Sequence, residues 1–233
     1  MTDQNALKRA VAAKALDYVQ DGMKLGLGSG STAEVFVELL APRVRSGQKL
    51  LCVPTSKRTA TLARKLGITL STLDDLAPLD LTIDGADEAD RNLDLIKGGG
   101  GMLLREKIVA AASKKMIVIA DESKLVPRLG RYALPIEVVE FGHKSIAAHL
   151  SESFAALGYA HVPLTLRQKD GANFKTDSGN FIYDCGFGAI QNAPKLANAV
   201  SAVPGVVEHG LFIGIATTLL IAGPGEVEVI ERA

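Results

Sequence analysis

A chain of 233 residues that is 47% hydrophobic has enough apolar material for a sizeable core. Its 26 basic and 26 acidic residues are mixed without a Lys/Arg block, which excludes the footprint of a nucleic-acid binder and leaves small anions as partners. With no 18-residue apolar run and no leader-like amino end, no membrane association is expected and a cytoplasmic location is.

In chain order, Gln4 to Val19 carries Leu7, Val11, Ala15, Leu16 and Val19 at a helical period and stops at Asp21-Gly22. Met23 to Leu27 reads as a strand. It feeds Gly28-Ser29-Gly30-Ser31-Thr32, and Ala33 to Leu40 is helical again. Strand, glycine turn and helix in that order offer hydroxyls and backbone N–H groups at a helix N-terminus, an arrangement suited to a phosphate. The glycine spacing departs from the dinucleotide fingerprint, and the P-loop lysine is missing. Leu50 to Val53 is a second strand, Pro54-Thr55-Ser56 caps a helix running to Leu66, and Gly67 to Leu70 is a third strand candidate.

Leu79 to Ile83 predicts a short buried strand with Asp84 at its carboxyl end, the edge where open α/β sheets bind ligands. The residues that follow gather Asp84, Asp87, Glu88, Lys97 and Glu106 around the run Gly98 to Gly101, and a helix from Met102 to Ser113 starts directly from those glycines. Its free N–H groups make that loop a site for an oxyanion. With Leu104, Ile108 and Ala111 taken as the apolar stripe, Glu106 projects to the opposite side between Met102 and Val109. Such flanks desolvate the carboxyl and raise its pKa toward the range of a general base, whereas a nearby lysine or the helix N-terminus pulls it back. The competing reading of Arg105-Glu106-Lys107 is a solvated charge run. Met116 to Ala120 is a further strand, after which Asp121, Ser123 and Lys124 join the same sheet edge.

This alternation predicts a Rossmann-like, mostly parallel sheet with helices on both faces. Beyond Gly130 the order becomes Leu134 to Glu140 strand, Lys144 to Leu157 helix, His161 to Arg167, Asn173 to Lys175 and Asn180 to Phe187 strands, and Pro194 to Val203 helix. That is a small α+β unit of split βαβ, ferredoxin-like type, with Thr176 to Gly179 as its hairpin turn. Val206 to Glu208, Ile215 to Ile221 and Val227 to Ile230 are expected to return to the first unit. The domains are therefore 1–130 with 205–233, and 131–204. Cys52 and Cys185 lie in apolar runs as core thiols, and His143, His149, His161 and His209 show no metal spacing, so neither metal nor cofactor is expected.

Gly28 to Thr32, Pro54 to Ser56, Asp84 to Glu88, Lys97 to Gly101, Arg105 to Lys107, Leu134 to Val138 and Pro204 to Phe212 together closely resemble ribose-5-phosphate isomerase of the A type, in family order and over nearly the whole chain. The resemblance implies a cytoplasmic, homodimeric aldose–ketose isomerase that interconverts ribose 5-phosphate and ribulose 5-phosphate without metal. It further implies Glu106 as proton acceptor, and substrate binding by Ser29, Gly30, Ser31, Thr32, Asp84, Gly85, Ala86, Asp87, Lys97, Gly98, Gly99, Gly100 and Lys124. Lys97 would be the oxyanion partner, and Asp84 with Asp87 would open the sugar ring. Ser29 stands where Thr is frequent in the family, and Met102-Leu-Leu104 where smaller or hydroxyl residues are. The alternatives are a non-catalytic sugar-phosphate sensor, which would need a DNA-binding module absent from the first 20 residues, and an amino-sugar phosphate deaminase, which shares only the phosphate turn.

Overall fold

The computed structural model describes residues 3–232. Six strands form the larger sheet, ordered Glu228–Glu231, Thr218–Ala222, Met116–Asp121, Leu81–Asp84, Lys24–Leu27, Leu51–Pro54. All neighbours are parallel except the outermost pair, Thr218–Ala222 with Glu228–Glu231. The period-two alternation of strands sends Ile117 and Ile119 to one face and Met116, Val118 and Ala120 to the other. On the first face Leu7, Val11 and Ala15 of helix Gln4–Ala15 pack with Phe36, Val37 and Leu40 of helix Ser31–Arg45. On the second lie Ala110 of helix Leu103–Ala111 and a three-stranded sheet of Glu88–Ala89, Leu95–Ile96 and Leu211–Phe212. The mostly parallel, two-faced α/β layering is as the sequence predicts.

Local differences have local causes. Helix Ser31–Arg45 runs past Leu40 and through Pro42, and Arg43 in its last turn donates to the carbonyls of Leu16 and Val19 at 2.6 and 3.0 Å, fastening the end of the first helix. Gly67 to Leu70 forms no strand: Leu70 makes a single isolated bridge to Cys52 beyond the sheet edge. The largest inversion is in helix Leu103–Ala111. Its buried face is Leu103, Glu106, Val109 and Ala110, while Ile108 of the expected inner stripe is 49% exposed. An apolar pattern with residues on both sides of a short helix does not fix its phase, and here the side carrying Glu106 turns inward.

The second sheet is ordered Val206–His209, Leu134–Val138, Phe181–Cys185, Leu164–Leu166, with every neighbour antiparallel. Helices His143–Ala156 and Ala193–Ser201 cover one face, burying Ile146, Leu150, Phe154, Leu196 and Val200 against Leu134, Ile136 and Tyr183. This is the expected split βαβ arrangement with one correction. Val206–His209, expected to return to the larger sheet, pairs instead with Leu134–Val138, because Gly205 at φ +90° turns the chain and Val139 N–H bonds its carbonyl at 3.0 Å. We propose that the small unit accordingly ends at His209 rather than at residue 204. Thr176 to Gly179 turns as expected, with Gly179 N–H donating to Thr176 O at 2.9 Å, and a further hairpin precedes it, where Gln168–Lys169 pairs with Ala172–Asn173 around Asp170-Gly171.

Candidate active site

In the larger sheet, Lys24–Leu27 lies between Leu51–Pro54 on one side and Leu81–Asp84 on the other. The chain thus reverses its direction of travel across the sheet at this point, and a crevice opens beyond the carboxyl ends of the strands. One cleft there is lined by Gln4, Lys8, Ser29 to Thr32, Gly85 to Asp87, Lys97 to Gly100, Met102, Glu106, Asp121 and Lys124. Every sequence-predicted site residue except Asp84 is on that lining.

Asp84 lies beneath it, fully buried. A Cβ on Gly28 would overlap the Asp84 carboxylate, so only glycine lets the turn pass so close. Asp84 Oδ1 accepts from Ser29 N–H at 3.0 Å and Gly85 N–H at 2.7 Å, joining two loops, while Oδ2 faces Lys97 Nζ at 3.1 Å. Lys97 Nζ donates to Gly85 O at 2.6 Å and lies 3.3 Å from Glu106 Oε2. Both ion-pair contacts are off the hydrogen-bond line, so Asp84 Oδ2 and Glu106 Oε2 are buried with no hydrogen bond.

Two carboxyls and one ammonium, each at most 3% exposed, share this dry space. Burial, aided by the charge of Asp84 and opposed by Lys97, pushes Glu106 up to about 8. Burial also raises Asp84, against Lys97 and its two backbone donors. Glu106 has no such backbone donors to oppose its burial. Burial alone would lower Lys97, but Asp84, Glu106 and Asp87 hold it above the ordinary lysine value, and it stays charged. Its ammonium occupies the space between the carboxylates that a cation would need, and among the described residues no His/Cys/Asp/Glu group has a metal-binding arrangement.

At the other end, Gly30 at φ +92° opens helix Ser31–Arg45 without a side-chain cap, so the first-turn N–H groups face the cleft. Ser29 lines the cleft with its backbone. Its hydroxyl points into a buried cluster, 2.7 Å from Thr55 Oγ1 and 2.9 Å from Ser56 Oγ, and it shapes the turn from behind. Asp121 accepts from Ser123 N–H at 3.0 Å and thereby holds the turn that carries Lys124. Glu88 is buried away from the cleft, accepting from Gly130 and Tyr132 N–H at 2.8 and 2.6 Å.

The model of the family described as ribose 5-phosphate isomerase A (phosphoriboisomerase A) matches residues 51–226. The chain belongs to the ribose 5-phosphate isomerase A family. A ribose-5-phosphate isomerase A of Rhodopseudomonas palustris (strain TIE-1) is 57% identical over 99% of this chain and 100% of its own. The solved ribose 5-phosphate isomerase of Plasmodium falciparum superposes with a TM-score of 0.92 at 40% identity, covering 97% of this chain and 98% of that one. A D-ribose-5-phosphate isomerase solved in complex with phospho-erythronic acid gives 0.91 at 34% identity, over 99% and 100%. This isomerase family interconverts ribose 5-phosphate and ribulose 5-phosphate, and the chain is an isomerase of that class, as its motifs imply. Sequence reasoning missed Gln4 and Lys8 of the isomerase cleft. Their one-turn spacing on the first helix was the available signal, but nothing in the sequence points that turn at the loop Ser29 to Thr32.

Proposed function

We propose that the isomerisation runs by proton transfer through an enediolate, with Glu106 as the base that lifts a proton from the carbon beside the carbonyl and returns it to the neighbouring carbon. The observation that carries this is the burial of the Glu106 carboxyl beside a charged lysine, in the same cleft as an uncapped helix N-terminus. A carboxyl raised toward neutrality has enough basicity to take a carbon-bound proton and enough acidity to give it back. Lys97 and the glycine-loop amides stabilise the enediolate oxygen. The phosphate lies at the start of helix Ser31–Arg45, held by Ser31, Thr32 and the amide of Gly30, with Lys8 and Lys124 balancing its charge. Because Asp87 lines the cleft and Asp84 does not, Asp87 is the acid that reaches the ring oxygen, and Asp84 fixes Lys97 from below.

Turnover in heavy water is the test. Deuterium is expected at the carbon next to the carbonyl, with full activity kept after exhaustive dialysis against a chelator. Activity that vanished with the chelator and returned with a divalent metal would overturn proton transfer. The family resemblance further supports a cytoplasmic homodimer, for which sedimentation should give twice the chain mass of 24.5 kDa.

A further inference from the structure

The run Gly98 to Gly101 has no side chains to pack, so hydrogen bonds hold its shape: one of its own, from Gly101 N–H to Gly98 O at 2.9 Å, and the others from elsewhere. On the cleft side Asp87 Oδ2 accepts from Gly99 N–H at 2.7 Å. On the opposite side one nitrogen of a single guanidinium, Arg167 Nη1, donates to both Gly98 O at 2.9 Å and Gly99 O at 3.1 Å. Arg167 comes from the small sheet and is itself immobilised. Asp184 takes its Nε at 2.9 Å and its Nη2 in a fork, and Phe174 lies 5.8 Å from the guanidinium carbon. Its backbone is tied on both sides, with Arg167 N–H donating to Ile182 O at 2.8 Å and Phe174 N–H donating to Arg167 O at 2.9 Å. The Arg167 side chain is 13% exposed.

Peptide planarity gives this contact a directional consequence. In a trans peptide the C=O and the following N–H point opposite ways. Fixing Gly98 O toward Arg167 therefore aims Gly99 N–H away from it, where Asp87 receives it. Fixing Gly99 O in the same way aims Gly100 N–H away from Arg167. Gly100 lines the cleft, and its N–H has no partner among the described residues. We infer that Arg167, held by Asp184, is a positioning residue of the small unit that orients the glycine-loop amides and the following turn toward the developing oxyanion. This rests on the reading of Lys97 and those amides as the partners of that oxyanion.

Arg167 acts on the reaction step rather than on substrate affinity, because the phosphate end of the cleft shares no contact with it. Arg167→Ala should lower kcat by about 10- to 10²-fold, the scale of a misplaced catalytic group, with KM and inhibition by inorganic phosphate changed less than about threefold. Guanidinium ion added to this variant should restore part of kcat, and amide hydrogen exchange at Gly99 to Gly101 should rise at least about tenfold. Asp184→Asn, which leaves the arginine in place but loosens its fork, should show the same changes at smaller size and stands in if the alanine variant does not fold. Unchanged kcat and unchanged loop exchange in either variant would overturn the inference, as would equal weakening of kcat and of phosphate inhibition. An active Glu106→Gln enzyme would remove the base assignment while leaving the exchange measurement to decide the clamp on its own.

Discussion

Asp84, Lys97 and Glu106 are at most 3% exposed at one end of the cleft, whereas Ser31 is open to solvent and Thr32, Lys8 and Lys124 are half-buried at the other. Both ends handle charge, but with different physics. In the dry end a carboxyl cannot ionise without penalty, so burial sets proton affinity and hence reactivity. In the wet end, charges are screened and partly solvated, and what a hydroxyl or lysine there contributes is mainly binding. The difference predicts that substitutions at the buried end act on turnover and those at the open end on the Michaelis constant.

The hardest attempt to break this division is Glu106→Gln, which keeps shape and removes the base. Turnover should fall by about 10²- to 10⁴-fold, the contribution of a positioned base, with KM little changed. A variant that kept more than a tenth of turnover, with its circular dichroism intact, would contradict it. Lys97→Met comes next, with turnover expected to drop about 10²- to 10³-fold for the lost oxyanion partner. This change also strands two buried carboxyls, so urea unfolding should show a loss on the order of 3–5 kcal/mol.

How much of this was legible in the sequence varies with the kind of contact. Strand runs such as Met116 to Ala120 and the glycine turn at Gly28 announce themselves because their signals are local: continuous apolar residues, or glycines between a strand and a helix. Asp84 at a strand end, the glycines before Glu106 and the order of motifs placed Asp84, Asp87, Lys97 and Glu106 at one sheet edge. The phase of the Glu106 helix was not legible, since Leu103, Leu104, Ile108, Val109 and Ala110 supply apolar residues on more than one side. The apolar flanks of Glu106, and with them its desolvation, were legible, but not that its side of the helix turns to the core. Likewise nothing local tells Val206–His209 which sheet it joins, or tells Ser29 that its hydroxyl meets Thr55 and Ser56. The one-turn spacing of Gln4 and Lys8 did not say which loop they face, and a long-range partner such as Arg167 had no signal that spacing could carry.

At the open end, Ser31→Ala with Thr32→Ala should raise KM for ribose 5-phosphate about tenfold, the size of a lost charge-assisted hydrogen bond or two, while turnover stays within about twofold. The preference for ribose 5-phosphate over free ribose should shrink with it. Equal losses on both sugars would place the phosphate elsewhere.

The smallest effect sharpens the comparison through stability. Because the folded Glu106 pKa is raised to about 8 from 4.5, the folded chain holds a proton that the unfolded chain has lost between those values. Stability of the parent protein therefore falls as pH rises through that window. Glu106→Gln escapes this penalty, so its melting temperature should exceed the parent's at pH 8.5 and match it near pH 4. A gain of the same size at both pH values would mean that ionisation is not its source.

The most direct measurement of the buried base is the pH dependence of kcat/KM, which reports ionisations of the free enzyme and free substrate. The account predicts a rise to a plateau with a midpoint near pH 8 from Glu106, separate from the substrate phosphate ionising at about pH 6, and absent from the residual activity of Glu106→Gln. A profile level from pH 6.5 to 9 would contradict a buried, proton-holding Glu106 as the base.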